Sequence, residues 1–176
     1  IDAVEEAGAD GYVISGRREG VRFRESYRDV VNALWSGRLA IDSAAGLRYD
    51  RSWLYRYTLG IIMPVQPECR PVPSTTFMLG YGDTVHYDDG SIFLSWYPDC
   101  LVGTSSEIVP PDFASALDET RRRKAAQRSL EAMSELVPAL RPYCDGAVMR
   151  ANIGGGIIFA WGAADIDDPV SELHRR

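Results

Sequence analysis

The stretch Asp29-Val-Val-Asn-Ala-Leu-Trp-Ser-Gly-Arg38 runs an apolar segment straight into Asn32, Trp35 and Arg38. Many α/β domains use such a strand end to present hydrogen-bond donors and a flat aromatic surface to a bound cofactor. A second candidate is Arg56, in the run where Trp53, Tyr55, Tyr57 and Leu59 alternate with Leu54, Arg56 and Thr58. A period of two puts Arg56 on the strand face opposite the aromatic residues. A guanidinium in mid-strand, on a sheet that also bears Tyr57, Trp96 and Tyr97, would clamp a carboxylate bidentately beside aromatic walls. It equally reads as a partly exposed arginine on a solvent face.

Other chemistries find less support. The two histidines, His86 and His174, fall on different elements, so neither a metal triad nor a Ser-His-Asp set assembles from their spacing, and no metal is expected. Asp165-Ile-Asp-Asp168 lacks the glycine and distant glutamate of a calcium loop and reads as a solvated acidic turn. Gly154-Gly-Gly156 could offer backbone N–H groups to an anion, or could allow close backbone packing at a strand start. Cys69, Cys100 and Cys144 show no CxxC spacing and fit a reducing compartment, so a cytoplasmic location is expected.

A formal charge of -6 and a pI near 4.9 argue against nucleic acid or an anionic membrane as the main partner, because both are bound through clustered cations. A small-molecule substrate is expected instead. No apolar run approaches the roughly 18 residues of a membrane helix, so the chain reads as soluble. It opens on Ile1 and closes on His174-Arg-Arg176 after a charged run, so missing flanks are expected at both ends.

Several elements would hold these candidates in place. Gly11 to Ser15 and Val21 to Arg24 read as a hairpin, Asp29 to Ala33 as a third strand, and Leu39 to Gly46 as a connection broken by Ser and Gly. After the Trp53 strand, prolines 64, 67, 71 and 73 make Val65 to Ser74 a loop or an edge. Thr75 to Leu79, Thr84 to Tyr87 and Ser91 to Tyr97 form an antiparallel meander around turns at Gly80-Tyr-Gly-Asp83 and Asp88-Asp-Gly90. Ala126, Leu130, Met133, Val137 and Leu140 make one stripe on a helix over residues 118–140, capped by Asp118 and opened by the solvated basic run Arg121-Arg-Arg-Lys124. Val148-Met-Arg150 and Gly156 to Trp161 return as strand. The expected class is α+β, a mixed and mainly antiparallel sheet with one long flanking helix.

The segments Val31-Asn-Ala33, Ser95-Trp-Tyr-Pro98, Gly155-Gly-Ile-Ile-Phe-Ala-Trp-Gly162 and Asp167-Asp-Pro169, in this order, resemble FAD-dependent oxidoreductases of the D-amino acid oxidase (glycine oxidase-like) superfamily. Nearly the whole chain is similar to the middle portion of that family. The resemblance implies that residues 1–46 are a remnant of a Rossmann-like FAD-binding domain with its crossover. Residues 47–162 would then be the substrate-domain sheet, and residues 163–176 a segment returning to the flavin. Asn32 and Ala33 match the end of a flavin-domain strand, with Leu34 where the family often has Gly. Arg150 and Gly155 match the Arg and Gly before the last stretch of the substrate sheet. Asp168-Pro169 matches a turn that lacks its Gly here.

Also implied are FAD as cofactor and hydride transfer from a C–H bond beside an amine or hydroxyl, so the substrate would be a small amine or hydroxy acid. Arg56 would be the substrate anchor, Tyr57 and Tyr97 chamber walls, and Asn32, Ala33, Trp35 and Arg38 the flavin-side contacts. The chain lacks a GxGxxG loop, so on this reading it is a fragment inactive by itself. The competing reading is a non-enzymatic α+β module that binds a ligand or protein through Trp53, Tyr55, Trp96 and Tyr97.

Overall fold

Trp53–Met63 forms an 11-residue strand, β4, around which the molecule is organised. Its alternation decides what lies on each side. Tyr57, Leu59, Ile61 and Met63 are buried in one cluster with Ala126, Leu130 and Met133 of a long helix, whereas Thr58, Gly60 and Ile62 point away from it. The computed structural model describes residues 1–64, 72–77, 81–144, 146–165 and 168.

Before β4 lie the strands β1 (Ala3–Glu6), β2 (Tyr12–Arg18) and β3 (Val21–Tyr27), which form a separate three-stranded sheet, and the helix α1 (Arg38–Ala44). After it come β5 (Thr75–Phe77), β6 (Gly82–His86), β7 (Ile92–Trp96), the one-turn helix α2 (Tyr97–Cys100) and β8 (Leu101–Ser105). The long helix α3 (Glu119–Leu136), the helical turn α4 (Ala147–Arg150) and β9 (Asn152–Trp161) complete the order. The large sheet runs β5-β6-β7-β4-β8, with β9 along the other edge of β4. The fold is α+β, and every described ladder is antiparallel.

β7 and β8 are one interrupted strand. Ile92 to Leu94 pair with Met63 to Ile61, and Leu101 to Ser105 continue along the same edge opposite Thr58 to Tyr55. The helical turn between them bulges out of the ladder, a device that re-aims side chains next to sites.

Helix α3 starts where Asp118 accepts a 2.7 Å hydrogen bond from the Arg121 N–H. Leu130 and Met133 are fully buried against the sheet, and each such side chain contributes about 1.5–3 kcal/mol.

The structure corrects five expectations. Asp29 to Ala33 is not a strand: its apolar Val31 is 89% exposed, and no ladder receives it. Leu39 to Gly46 is largely helical, with Leu39 and Ile41 buried, because Gly46 at φ 82° terminates α1 rather than breaking it. The long helix ends at Leu136, and residues 138–144 tighten into 3-10 turns once Pro138 withholds its N–H. Val148 to Arg150 belong to α4, not to a strand. The basic run is more than a solvated face: Arg123 Nη1 donates to the carbonyls of Val148 and Ala151, and Arg122 Nη2 to that of Ala114. The meander keeps its three expected strands, but Gly82 and Asp83 belong to β6 rather than to the turn and Tyr97 to α2 rather than to β7, and the hairpin of β2 and β3 gains β1. Of the loop expected over Val65 to Ser74, residues 72–74 are irregular with Val72 buried and residues 65–71 lie outside the described residues, as do the end of the strand expected at Leu79 and most of the return segment including Pro169 and His174.

Candidate functional site

Arg56 is 1% exposed, and each of its guanidinium nitrogens has a protein acceptor. Nε donates to Asp165 Oδ1 at 2.5 Å, Nη2 to the Ala164 carbonyl at 2.7 Å, and Nη1 to the Leu54 carbonyl at 3.3 Å. Tyr97, carried out of the ladder by α2, donates its hydroxyl to the same Oδ1 at 2.6 Å. Arg56 and Tyr97 thus converge, on a carboxylate that had read as part of a solvated turn. The geometry makes this cluster a clamp that fixes the segment after β9 to the sheet.

Tyr57 lies apart from them. Its ring is on the helix-covered face, stacked on Phe113 at 5.8 Å, and covers Gly155, where a Cβ would come within 2.4 Å of the Tyr57 hydroxyl. With Ser36, Gly37, Phe113 and Ile157 it borders a cleft of about 350 Å³. Tyr57 therefore meets the segment between Trp35 and Arg38 rather than Arg56.

In that segment, Asn32 Nδ2 donates to the Arg38 carbonyl at 3.0 Å and to Asp42 Oδ1 at 2.7 Å, while its Oδ1 accepts from the Leu34 N–H at 3.1 Å. Both amide hydrogens of Asn32 are engaged in holding the start of α1. Arg38 pairs with Asp42 at 3.6 Å and lies 5.3 Å from the Trp161 ring centroid, with Arg51 at 5.2 Å from the same ring. Trp35 is 60% exposed at φ 48°, a left-handed backbone unusual for a bulky residue, and its indole N–H donates to the Ile157 carbonyl of β9. Ala33 is exposed. Against this group Tyr49 is pushed up to about 12, chiefly by burial and next by the Asp42 charge.

The sheet face that carries no helix among the described residues has a third feature. Thr58, Gly60, Asp83, Phe93, Ser95 and Asn152, with Gly154 to Gly156, line a cleft of about 410 Å³. Register brings them together: Asp83 lies opposite Ser95, the Ser95 hydroxyl donates to the Leu59 carbonyl, Gly60 lies opposite Gly154, and Thr58 opposite Gly156. A Cβ on Gly60 would come within 2.6 Å of the Phe93 ring, which lies against the strand, whereas Gly154 and Gly156 have open space above them. Sequence reasoning passed over Asp83 by assigning it to a turn. Its alternation with Val85 was the available signal, since it puts both on the face of Phe93 and Ser95.

Of the aromatic residues that could form a docking surface, Tyr55 and Tyr97 are buried and Trp53 and Trp96 half-buried. His86 is exposed, and no group of three or more His, Cys, Asp or Glu among the described residues could hold a metal. No helix among them is long and apolar enough to cross a membrane. No protein-family model, curated protein or solved structure matches this chain.

Proposed function

We propose that this chain is the substrate-side sheet of a flavin-dependent oxidoreductase that oxidises a small amine or hydroxy acid. The observation that carries the reading is the helix-free face of the large sheet. There Thr58, Ser95, Gly154 and Gly156 make a shallow surface of small side chains beside the Phe93 ring that covers Gly60, with a cleft of about 410 Å³ above it, inside the range of roughly 300–1,000 Å³ of small-molecule sites. A planar ring fits such a surface, because the Cβ positions of Gly154 and Gly156 meet nothing within 4 Å.

In the reaction, a C–H bond beside the nitrogen or oxygen of the substrate breaks, and its hydride leaves with two electrons. The heteroatom lone pair closes a C=N or C=O bond as its proton passes to solvent. FAD supplies the two-electron acceptor when bound. The chain's own contribution is to bind, orient and exclude water. Arg56 and Tyr97 hold Asp165 and the backbone beside it over one end of the face, and Tyr57 supports the glycine stripe from behind. Trp35 and Arg38 lie with Tyr57 on the opposite face and back the sheet rather than meet the ring, and Asn32 fixes their turn through the Arg38 carbonyl. The free thiols of Cys100 and Cys144 fit a reducing, cytoplasmic setting.

The test is the visible spectrum of protein expressed from the complete reading frame that contains this segment. A flavin band near about 450 nm that bleaches anaerobically on addition of a small amine or hydroxy acid supports the reading. A folded, colourless protein that takes up no added FAD overturns it.

A further inference from the structure

We infer that the cleft on the helix-free face takes a small organic ammonium ion, with Asp83 as its counter-charge, and does not take a carboxylate. This deepens the functional reading above, in which that face receives the substrate, and narrows its two substrate classes to the amine.

Asp83 is the one acidic or basic residue among the described residues that line the cleft. It is half-buried on β6, on the face shared with Phe93 and Ser95 and away from α3. The opposite orientation belongs to its neighbour Gly82, where a Cβ would run into Trp96 and the Met133 sulfur on the helix side. The register therefore fixes the Asp83 carboxylate toward the cleft. Beside it, the Phe93 ring covers Gly60, so a carboxylate and an aromatic ring border the same space. That pairing suits an alkylammonium, which gains a charge partner on one side and an aromatic ring on another. The Ser95 hydroxyl donates to the Leu59 carbonyl, and its oxygen, beside the Cys100 thiol, keeps one lone pair for an N–H.

An acid has no comparable partner here. Period two places Arg56 just beyond Thr58 on this face, but its three nitrogens are taken by Asp165, Ala164 and Leu54, and it is buried. A carboxylate entering the cleft would meet Asp83 and no available guanidinium, a like-charge arrangement that opposes binding.

The experiment uses the 176-residue chain itself and needs no flavin. Amide chemical shifts at Asp83, Ser95 and Gly60 are followed during titration with n-butylammonium, n-butanol and butanoate at neutral pH, for the parent chain, Asp83→Asn, Asp83→Glu and Asp88→Asn. The expected result is saturable binding of the ammonium, about tenfold tighter than the alcohol, with butanoate weakest. Asp83→Asn brings ammonium and alcohol within about twofold of each other, while Asp83→Glu and Asp88→Asn keep the preference; the last shows that overall negative charge is not its source. Equal binding of butanoate, no binding of the ammonium, or an unchanged preference in a folded Asp83→Asn protein overturns the assignment. A colourless complete protein with the ammonium preference intact would remove the flavin reading and leave this one standing. A flavoprotein whose cleft ignores Asp83 would do the reverse.

Discussion

Arg56 and Asp165 form an ion pair at 2.5 Å between residues 109 positions apart, and Tyr97 shares the same carboxylate oxygen. The pair is asymmetric: the arginine side chain is 1% exposed and the aspartate 28%. Removing the carboxylate strands a buried cation, whereas removing the arginine leaves an anion that water can reach. Asp165→Ala should therefore cost about 3 kcal/mol, and Arg56→Met about 1–2 kcal/mol less, in urea unfolding of the chain. The reverse order, or two costs below about 0.5 kcal/mol, would show that the clamp contributes little to stability.

Gly155 and Gly154 are neighbours with opposite tolerances. A methyl on Gly155 would enter the Tyr57 ring, with its hydroxyl at 2.4 Å and two ring carbons at 2.5 Å, and Tyr57 is in turn stacked on Phe113. Gly155→Ala should destabilise by about 1–3 kcal/mol. Gly154→Ala meets nothing within 4 Å and should change stability by about 0.5 kcal/mol or less. Thermal unfolding of the two variants side by side decides it; comparable losses would contradict the register of β4 and β9.

How far the chain could be read in advance follows from how local each signal was. The meander was legible because Asp88-Asp-Gly90 sits between alternating runs, and the turn and the alternation demand the same hairpin. The stripe from Ala126 to Leu140 was legible as an apolar face but not as a length, since Val137 and Leu140 stay buried after the helix has given way to 3-10 turns. Asp29 to Ala33 looked like a strand from Val30 and Val31, yet a strand needs a partner edge, and no local pattern reveals whether one exists. Gly46 reads locally as a breaker, whereas in three dimensions it terminates α1. For the site, Arg56 and Tyr97 stood out by residue type, but their common partner Asp165 came from the far end of the chain and could be found only in three dimensions. Tyr57 joins them as a chamber wall only through the family resemblance, and the period of two already puts it on the face opposite Arg56.

Tyr49 gives the fold an alkaline limit. Its hydroxyl donates to the Leu39 carbonyl at 3.1 Å, and burial together with the nearby Asp42 charge pushes it from 10.0 up to about 12. A phenol whose folded value exceeds its unfolded one favours folding while it is neutral. That contribution is complete below pH 10 and is lost as pH rises through about 12. Tyr55 and Tyr27 are raised as well, so ultraviolet titration should show a late-ionising phenol fraction that shrinks by one tyrosine in Tyr49→Phe, and the variant's stability should fall less steeply between those two pH values. Full phenol ionisation near pH 10 in the parent chain would remove the basis for this limit.

Cys100 and Cys144 should differ in reactivity although both are free. Cys100 is fully buried at the end of α2, where its sulfur stands 3.3 Å from the Ser129 hydroxyl and 3.4 Å from the Trp96 N–H that donates to it. Burial raises its thiol, and hydrogen bonds with Ser129, the Trp96 N–H and Ser95 oppose that shift without cancelling it. At mildly alkaline pH Cys100 is therefore both inaccessible and poor in thiolate, which is the species that reacts. Cys144 is half-buried in the 3-10 segment after α3. Iodoacetamide labelling followed by peptide mass spectrometry should modify Cys144 at least about tenfold faster than Cys100 in the folded chain, with the difference abolished in denaturant. Equal rates under native conditions would mean that the β7–α2–β8 bulge opens readily. The Tyr97–Asp165 bond carried by that bulge would then be transient as well.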